Sequence, residues 1–323
     1  MRIYAKRVKA IGGYLNLQLP AMEEYYPSLI KLNTGRNALE YILKVNGYSC
    51  IYIPYFTCEV ILEPIKKLGI QYHFYTLDKN LDPIIDFEIE TNECFLYTNY
   101  FGVKQLTVNN LAKMDMNLIV DNSQAFFLKP LPNIDTFYSC RKFFGVPDGA
   151  YLQSNIISTI KFERDISSDR MSHLLISVDQ SIEKGFEAYK TNNDILSRNP
   201  IRRMSFLTEY LLKSIDYESC RLIRNKNFKI LHEVLSDKNQ LEIDTSFING
   251  PLCYPFLSSR ENIKKKLISK RVFTPVYWPN VLKWTTDKMF ENYLANNLVS
   301  LPIDHRYNEE DMERIINYLK QML

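Results

Sequence analysis

Short runs rich in β-branched and aromatic residues alternate, over the first half of this chain, with helical patterns of roughly ten residues. Residues 37–46 (NALEYILKVN) put Ala38, Leu39, Ile42, Leu43 and Val45 on one helical face, and Gly47 follows as a stop. IYIP (51–54) is a strand candidate ended by Pro54. CEVILEPIKKL (58–68) is a helix closed by Gly69, and QYHFYTL (71–77) is a second strand. The pattern continues with CFLYTN (94–99) as strand, 107–114 as a short helix and NLIVD (117–121) as strand. TFYSC (136–140) and AYLQSN (150–155) are further strand candidates. Strands separated by helices predict a mostly parallel sheet covered on both faces.

After about residue 160 the texture changes, as turn-rich polar segments replace the strand–helix alternation. RDISSDR and KTNNDILSRNP read as loops, and the apolar spacing from Ser205 to about Leu235 is helical, as one long helix or two in succession. PLCYPFL (251–257) is a strand candidate, 260–270 a helix, RVFTPVYW (271–278) a strand and DMERIINYLKQML (311–323) a terminal helix. The expected organisation is a large α/β domain over residues 1–160, with an N-terminal arm, and a long-helix region with a smaller α+β domain over 161–323. With 46% hydrophobic and 24% charged residues, the 323-residue chain can build one large core and a smaller second one.

The net charge of +3 is small for this length, and Lys264-Lys265-Lys266 lies among Ile263, Leu267 and Ile268, as on the wet face of a helix. No basic footprint for nucleic acid is visible. Six scattered cysteines form no CxxC pair, and four distant histidines form no metal constellation. No stretch approaches 18 apolar residues, and the basic start MRIYAKRVKAIGG lacks an apolar leader core, so a soluble, cytoplasmic protein is expected.

In an open α/β sheet, ligands bind beyond the carboxyl ends of the strands, so the residues just past each strand carry the functional information. Asn33-Thr34-Gly35-Arg36-Asn37 precedes the first helix, where free amides and the positive dipole end suit a phosphate, unless Thr34 or Asn33 is only the cap. Asp121 closes its strand in the run Asp121-Asn122-Ser123-Gln124, and its carboxylate suits a protonated heterocyclic nitrogen or, equally, an N-cap. Ser139-Cys140-Arg141-Lys142 leads into Phe143-Phe144-Gly145-Val146-Pro147-Asp148-Gly149. A lysine held in a turn between buried strands offers its amine as a nucleophile, and Ser139 and Arg141 can reach a phosphate; the alternative is a surface Arg-Lys pair. Asn99-Tyr100-Phe101-Gly102 forms either an aromatic lip at the same edge or core packing. A phosphate cradle, a carboxylate for a ring nitrogen and a Schiff-base lysine, in this order, are the three parts that pyridoxal 5′-phosphate (PLP) requires.

The chain resembles the DegT-type (StrS-like) sugar aminotransferases, a branch of fold type I PLP enzymes. LNTGRNALEYIL resembles that family's stretch before its first large-domain helix, and IYIPYFTCEVILEPIKKLGIQYHFYTLD its strand–PxxT–helix–G–strand-D segment. LIVDNSQAF resembles its D-x-x-Q motif, SCRKFFGVPDGAYL its lysine motif, RRMSFLTEYLL its R-M-S/A helix start and VFTPVYWP its late strand. The resemblance implies an aspartate-aminotransferase-like large domain with a mostly parallel mixed sheet. It implies that Lys142 carries the cofactor and shuttles protons, Asp121 pairs with the pyridine nitrogen, Gln124 contacts the 3-hydroxyl side, and Thr34, Gly35, Arg36 and Ser139 surround the phosphate. It further implies a homodimer with a shared active site, and amino transfer from an amino acid such as glutamate to a keto-sugar, nucleotide-linked, for surface polysaccharide.

Three departures stand out. Cys58 occupies the place of the ring-stacking aromatic, leaving that task to Tyr55, Phe56 or an aromatic from elsewhere. Ile201 replaces an asparagine that reaches the partner's phosphate, and the chain is shorter than most relatives. Two other readings are a PLP-dependent sugar dehydratase, in which histidine replaces the lysine, so that Lys142 argues against it, and a non-catalytic relative with a regulatory or scaffold role. The apolar and aromatic residues from Ile11 to Tyr26 exceed what a free tail carries and are expected to pack on the body or on a partner.

Overall fold

The computed structural model describes residues 11–323; the basic start, residues 1–10, lies outside them. Seven strands form the main sheet: β1 (Ile30–Leu32), β2 (Cys50–Pro54), β3 (Gln71–Tyr75), β4 (Glu93–Thr98), β5 (Leu118–Asp121), β6 (Asp135–Ser139) and β7 (Ala150–Gln153). Their order is β1-β7-β6-β5-β4-β2-β3, parallel from β3 to β6, with β7 and β1 antiparallel at one edge. From β2 the chain winds outward to β3, then crosses back to β4 and winds the other way. The switch point therefore falls between β2 and β4, where a crevice opens beyond the carboxyl ends.

Helices α1 (Gly35–Asn46), α2 (Leu62–Leu68) and α3 (Gln105–Leu111) supply the crossovers. The two-residue period of the strands divides the core. In β4, Cys94 and Leu96 face a cluster with Ile42, Ile51, Ile53 and Ile65, whereas Phe95 and Tyr97 face a second cluster with Val108 and Leu111. Gly47 closes α1 at φ 68°.

The second half begins with α4 (Ser172–Asp179), α5 (Ile182–Arg198), α6 (Phe206–Leu212) and α7 (Tyr217–Leu235). It continues with β8 (Cys253–Leu257), α8 (Ile263–Ser269), α9 (Val281–Trp284), α10 (Phe290–Asn297), β9 (Leu298–Pro302) and α11 (Glu309–Lys320). Strands β8 and β9 pair antiparallel. Phe228 and Leu231 of α7, Phe256 of β8 and Ile315 and Leu319 of α11 join the same apolar cluster as Phe95 and Tyr97, so one continuous core spans both sheets. No helix of the described residues is long and apolar enough to cross a membrane.

Two expectations are corrected. KTNNDILSRNP is not a loop: its first nine residues belong to α5, which Ser181 caps by accepting from the Lys184 amide. Its buried positions include Gly185, Asn192 and Leu196, so no apolar period marks it. RVFTPVYW is not a strand but an irregular crossing, because Pro275 and Pro279 withhold amides and the small sheet has only β8 and β9. Of the two readings of Asn99–Gly102, core packing holds: Tyr100 and Phe101 are fully buried. The arm is divided: Ile11, Tyr14 and Leu15 stand in solvent, while Leu17 and Leu19 bond to the Tyr210 hydroxyl, Met22 to the Lys213 carbonyl, and Tyr26 is buried against Tyr138 and Tyr151.

The turn from β6 to β7 is pinned at both ends. Phe143 and Phe144 enter an aromatic cluster with Phe126, Tyr217 and Tyr26, each contributing about 1.5–3 kcal/mol by burial. Asp148, fully buried, accepts from the Ser205 amide (3.0 Å), the Ser205 hydroxyl (2.8 Å) and the Thr208 hydroxyl. Gly149 sits at φ 115°, where a Cβ would meet Thr208 Cγ2 at 2.9 Å. Replacing Asp148 by Ala strands these donors, so Asp148→Ala is expected to lose about 2–4 kcal/mol in urea unfolding, and Asp148→Asn clearly less. Equal midpoints for Asp148→Ala and the parent would refute the pinning role.

Candidate functional site

Because the two phenylalanines after Lys142 face the core and Cys140 is fully buried, Arg141 and Lys142 are the residues of this turn left to face the other way. They open into a cavity of about 340 Å³ beyond the carboxyl ends of β2, β5 and β6. Of the residues expected at the site, Thr34, Gly35, Arg36, Asp121, Ser139 and Lys142 all line it. They come from the start of α1 and the ends of β5 and β6, brought together by the winding described above.

One group of side chains surrounds the amine. Lys142 Nζ donates to Ser123 Oγ at 2.9 Å, and the Ser123 amide donates to Asp121 Oδ1 at 2.8 Å. Asp121 is 7% exposed and has no ion-pair partner among the described residues. The Cys58 thiol lies on the same wall; burial pushes its pKa up, against the pull of the Lys142 cation.

The second group is cationic. Thr34 caps α1, accepting from the Asn37 amide at 3.1 Å and donating to Asn37 Oδ1 at 2.6 Å, so the capping alternative holds for its hydroxyl. The amides of Gly35 and Arg36 have no acceptor among the described residues. Arg36 pairs with Glu63 at 2.8 Å and donates to the Leu196 carbonyl at 3.3 Å. Arg141 donates to Asn193 Oδ1 at 2.7 Å; burial lowers its pKa.

Gln124 is drawn behind the wall rather than onto it. Fully buried, it accepts from the Phe101 amide at 2.7 Å, holding Phe101 at φ 56°, and its Nε2 has no partner. Tyr55 stacks on Phe74 at 4.6 Å and Phe56 packs on Trp278, so neither reaches the cavity. The aromatics on the wall are Phe137, Tyr277 and Trp278; Asn280 ties the last two in place by donating to the Thr57 carbonyl at 2.9 Å. Ile201, 8% exposed, packs into the core of its own chain.

Sequence reasoning missed Ser123, Asn193, Leu196, Tyr277 and Trp278. Ser123 lay inside a quoted motif, whereas α5 and the Tyr277 segment come from elements that were misread. Lys142 and Tyr277 also line a second cavity of about 590 Å³, walled by Phe186, Phe273 and Tyr307 with Arg224, Asp304 and Arg306. The amine thus lies between two chambers.

No protein-family model matches the chain, and no curated protein does. Solved structures do. A DegT DnrJ EryC1 StrS aminotransferase from Brucella abortus matches over 91% of this chain and 85% of its own, with TM-score 0.62 and 16% identity. A sugar aminotransferase from Micromonospora echinospora matches over 91% and 87%, with TM-score 0.64 and 13% identity. The E. coli GDP-4-keto-6-deoxy-D-mannose-3-dehydratase with bound hydrated PLP matches over 90% and 87%, with TM-score 0.60 and 13% identity. At these identities the likeness establishes the architecture: the chain has the aminotransferase-like fold, a mostly parallel mixed sheet with a second small sheet.

Proposed function

We propose that this chain is a PLP-dependent aminotransferase that moves an amino group from an amino acid, glutamate, to a keto-sugar, nucleotide-linked, destined for surface polysaccharide. One observation carries the reading. Asp121 and Arg141 are both withdrawn from water, neither has an ion-pair partner among the described residues, and they share one cavity with the Lys142 amine. A buried charge without a counter-ion is costly, so this cavity suits a ligand with an anionic group and a cationic ring, and PLP has both.

In this reading Lys142 would hold the cofactor, Asp121 would face its ring nitrogen, and Thr34, Gly35, Arg36 and Ser139 would surround its phosphate. Gln124 would act from behind the wall, through its free Nε2. When bound, the cofactor supplies a carbonyl that condenses with amines and a ring that withdraws electrons from the neighbouring carbon. Asp121 would pair with the ring nitrogen, an interaction contributing on the order of a few kcal/mol. Ser123 orients Lys142 Nζ, which takes the proton from the donor's α-carbon and returns it on the acceptor side. Tyr277 and Trp278 narrow the mouth and limit water, while the aromatic second chamber offers room for the acceptor.

Borohydride reduction of PLP-saturated protein, followed by peptide mapping, is expected to leave the pyridoxyl label on Lys142, and Lys142→Ala protein none. A label on another lysine, or no label on the parent, overturns the assignment and favours the non-catalytic reading. The visible band of the loaded protein should bleach on adding L-glutamate.

Asp121→Asn should fold normally, bind PLP more weakly and lose about 100-fold or more in turnover. Near-parental turnover would remove Asp121 from the mechanism.

The same reading makes the protein a homodimer, the commonest closed assembly. Ile11, Tyr14 and Leu15, all more than 80% exposed, are apolar surface for a partner to cover. Sedimentation at micromolar concentration should give twice the chain mass, and a monomer that still transaminates would refute the shared site.

A further inference from the structure

We propose that Arg141 is the cation that binds the cofactor's phosphate, and that Asn193 and Tyr189 of α5 hold it there, so that the phosphate cup is completed within one chain. The proposal rests on the PLP reading above and adds the residues that anchor its anionic end.

The geometry converges on one face of α5. Arg141 donates to Asn193 Oδ1 at 2.7 Å, and its guanidinium carbon lies 5.5 Å from the Tyr189 ring centroid. Tyr189 and Asn193 are four residues apart and so share a helix face. Arg36, from the start of α1, donates to the Leu196 carbonyl, three residues beyond Asn193. Two guanidiniums from different elements therefore end beside one stretch of α5, which itself contributes Asn193 and Leu196 to the cavity wall.

Their partners differ in a way that matters. Arg36 is neutralised by Glu63 at 2.8 Å. Arg141 has no carboxylate within 4 Å among the described residues. An amide oxygen and an aromatic face hold a guanidinium in place without cancelling its charge. Burial works against the Arg141 cation, while Tyr189 and the more distant Asp148 carboxylate pull the other way. Were Arg141 only a strut between the turn and α5, a neutral side chain would serve at lower cost. A desolvated guanidinium that lines the same cavity as Gly35 and Arg36, whose amides are unpaired, suits a phosphate, which accepts charge-assisted bonds from both.

The test is to titrate the full chain, stripped of cofactor, with pyridoxal 5′-phosphate and with pyridoxal, which lacks the phosphate. Arg141→Gln should weaken binding of the phosphate ester about 10- to 100-fold and leave pyridoxal within about 2-fold of the parent. Its unfolding midpoint without cofactor should be unchanged or higher, since a buried unpaired charge has gone. Asn193→Leu should give a smaller, equally phosphate-specific loss. Asn193→Asp should also weaken the phosphate ester, because it holds Arg141 but neutralises it; this variant decides the matter if Arg141→Gln does not fold. Unchanged affinity for the phosphate ester, or equal weakening of both ligands, overturns the proposal while normal Lys142 labelling keeps the cofactor reading intact. A parent protein that takes up neither compound overturns both.

Discussion

The site depends on how the turn between β6 and β7 is anchored. Ten residues leave one strand and return antiparallel beside it, and nearly all of their apolar surface goes into the protein: Cys140, Phe143, Phe144 and Val146 are each less than 7% exposed. Asp148 locks the returning limb to the start of α6, and Gly149 admits that helix where a side chain would block it. With both limbs committed, Arg141 and Lys142 have nowhere to go but the crevice. Their direction is set largely by the burial of their neighbours. The same helix start brings segment 200–204 alongside β1, where Asn33 clasps it through the Pro200 carbonyl and the Arg202 amide. The first loop of the site is thus fastened to the segment that leads from α5 into α6.

The second consequence is a separation of charge. The carboxylate, serine and amine form one hydrogen-bonded chain from the end of β5, while the guanidiniums gather where α1 begins. Parallel strands make this possible, because β5 and β6 deliver their ends at the same edge only one strand spacing apart. Pre-orienting an amine by a fixed hydrogen bond places it for reaction before any substrate arrives. Lys142 also lines the larger aromatic chamber, so one side chain borders both cavities.

Much of this was legible in the sequence. The strand–helix alternation gives the main sheet, and the rule that ligands meet strand ends singles out Thr34, Asp121, Ser139 and Lys142, all of which face one cavity. The three-residue β1 is too short to leave a periodic signal, and β9 follows directly on α10 with no turn residue between them. Gln124 does not line the cavity, because its Oε1 accepts from the Phe101 amide, which is buried and needs a partner. Such a demand appears only once the backbone is known. Tyr277 and Trp278 reach the cavity because Asn280 fixes their loop across a separation of more than two hundred residues, which no local pattern encodes.

The concealment of α5 has the same physical root as its proposed role. Helices are recognised by an apolar stripe turned inward, yet here the inward positions are Gly185, Asn192 and Leu196, while Ile182, Phe186, Tyr189 and Ile195 lie largely outside. What fastens this face to the body is polar: Asn192 to the Pro147 carbonyl, Arg36 to the Leu196 carbonyl, Asn37 to the Asn199 carbonyl and Arg141 to Asn193. All four of these contacts involve residues at the start of α1 or in the turn that carries Lys142. An element held by few apolar contacts belongs to the less stable part of a fold. An anion bound between the two guanidiniums, as proposed, would therefore stabilise α5 through the contacts that both arginines make with it.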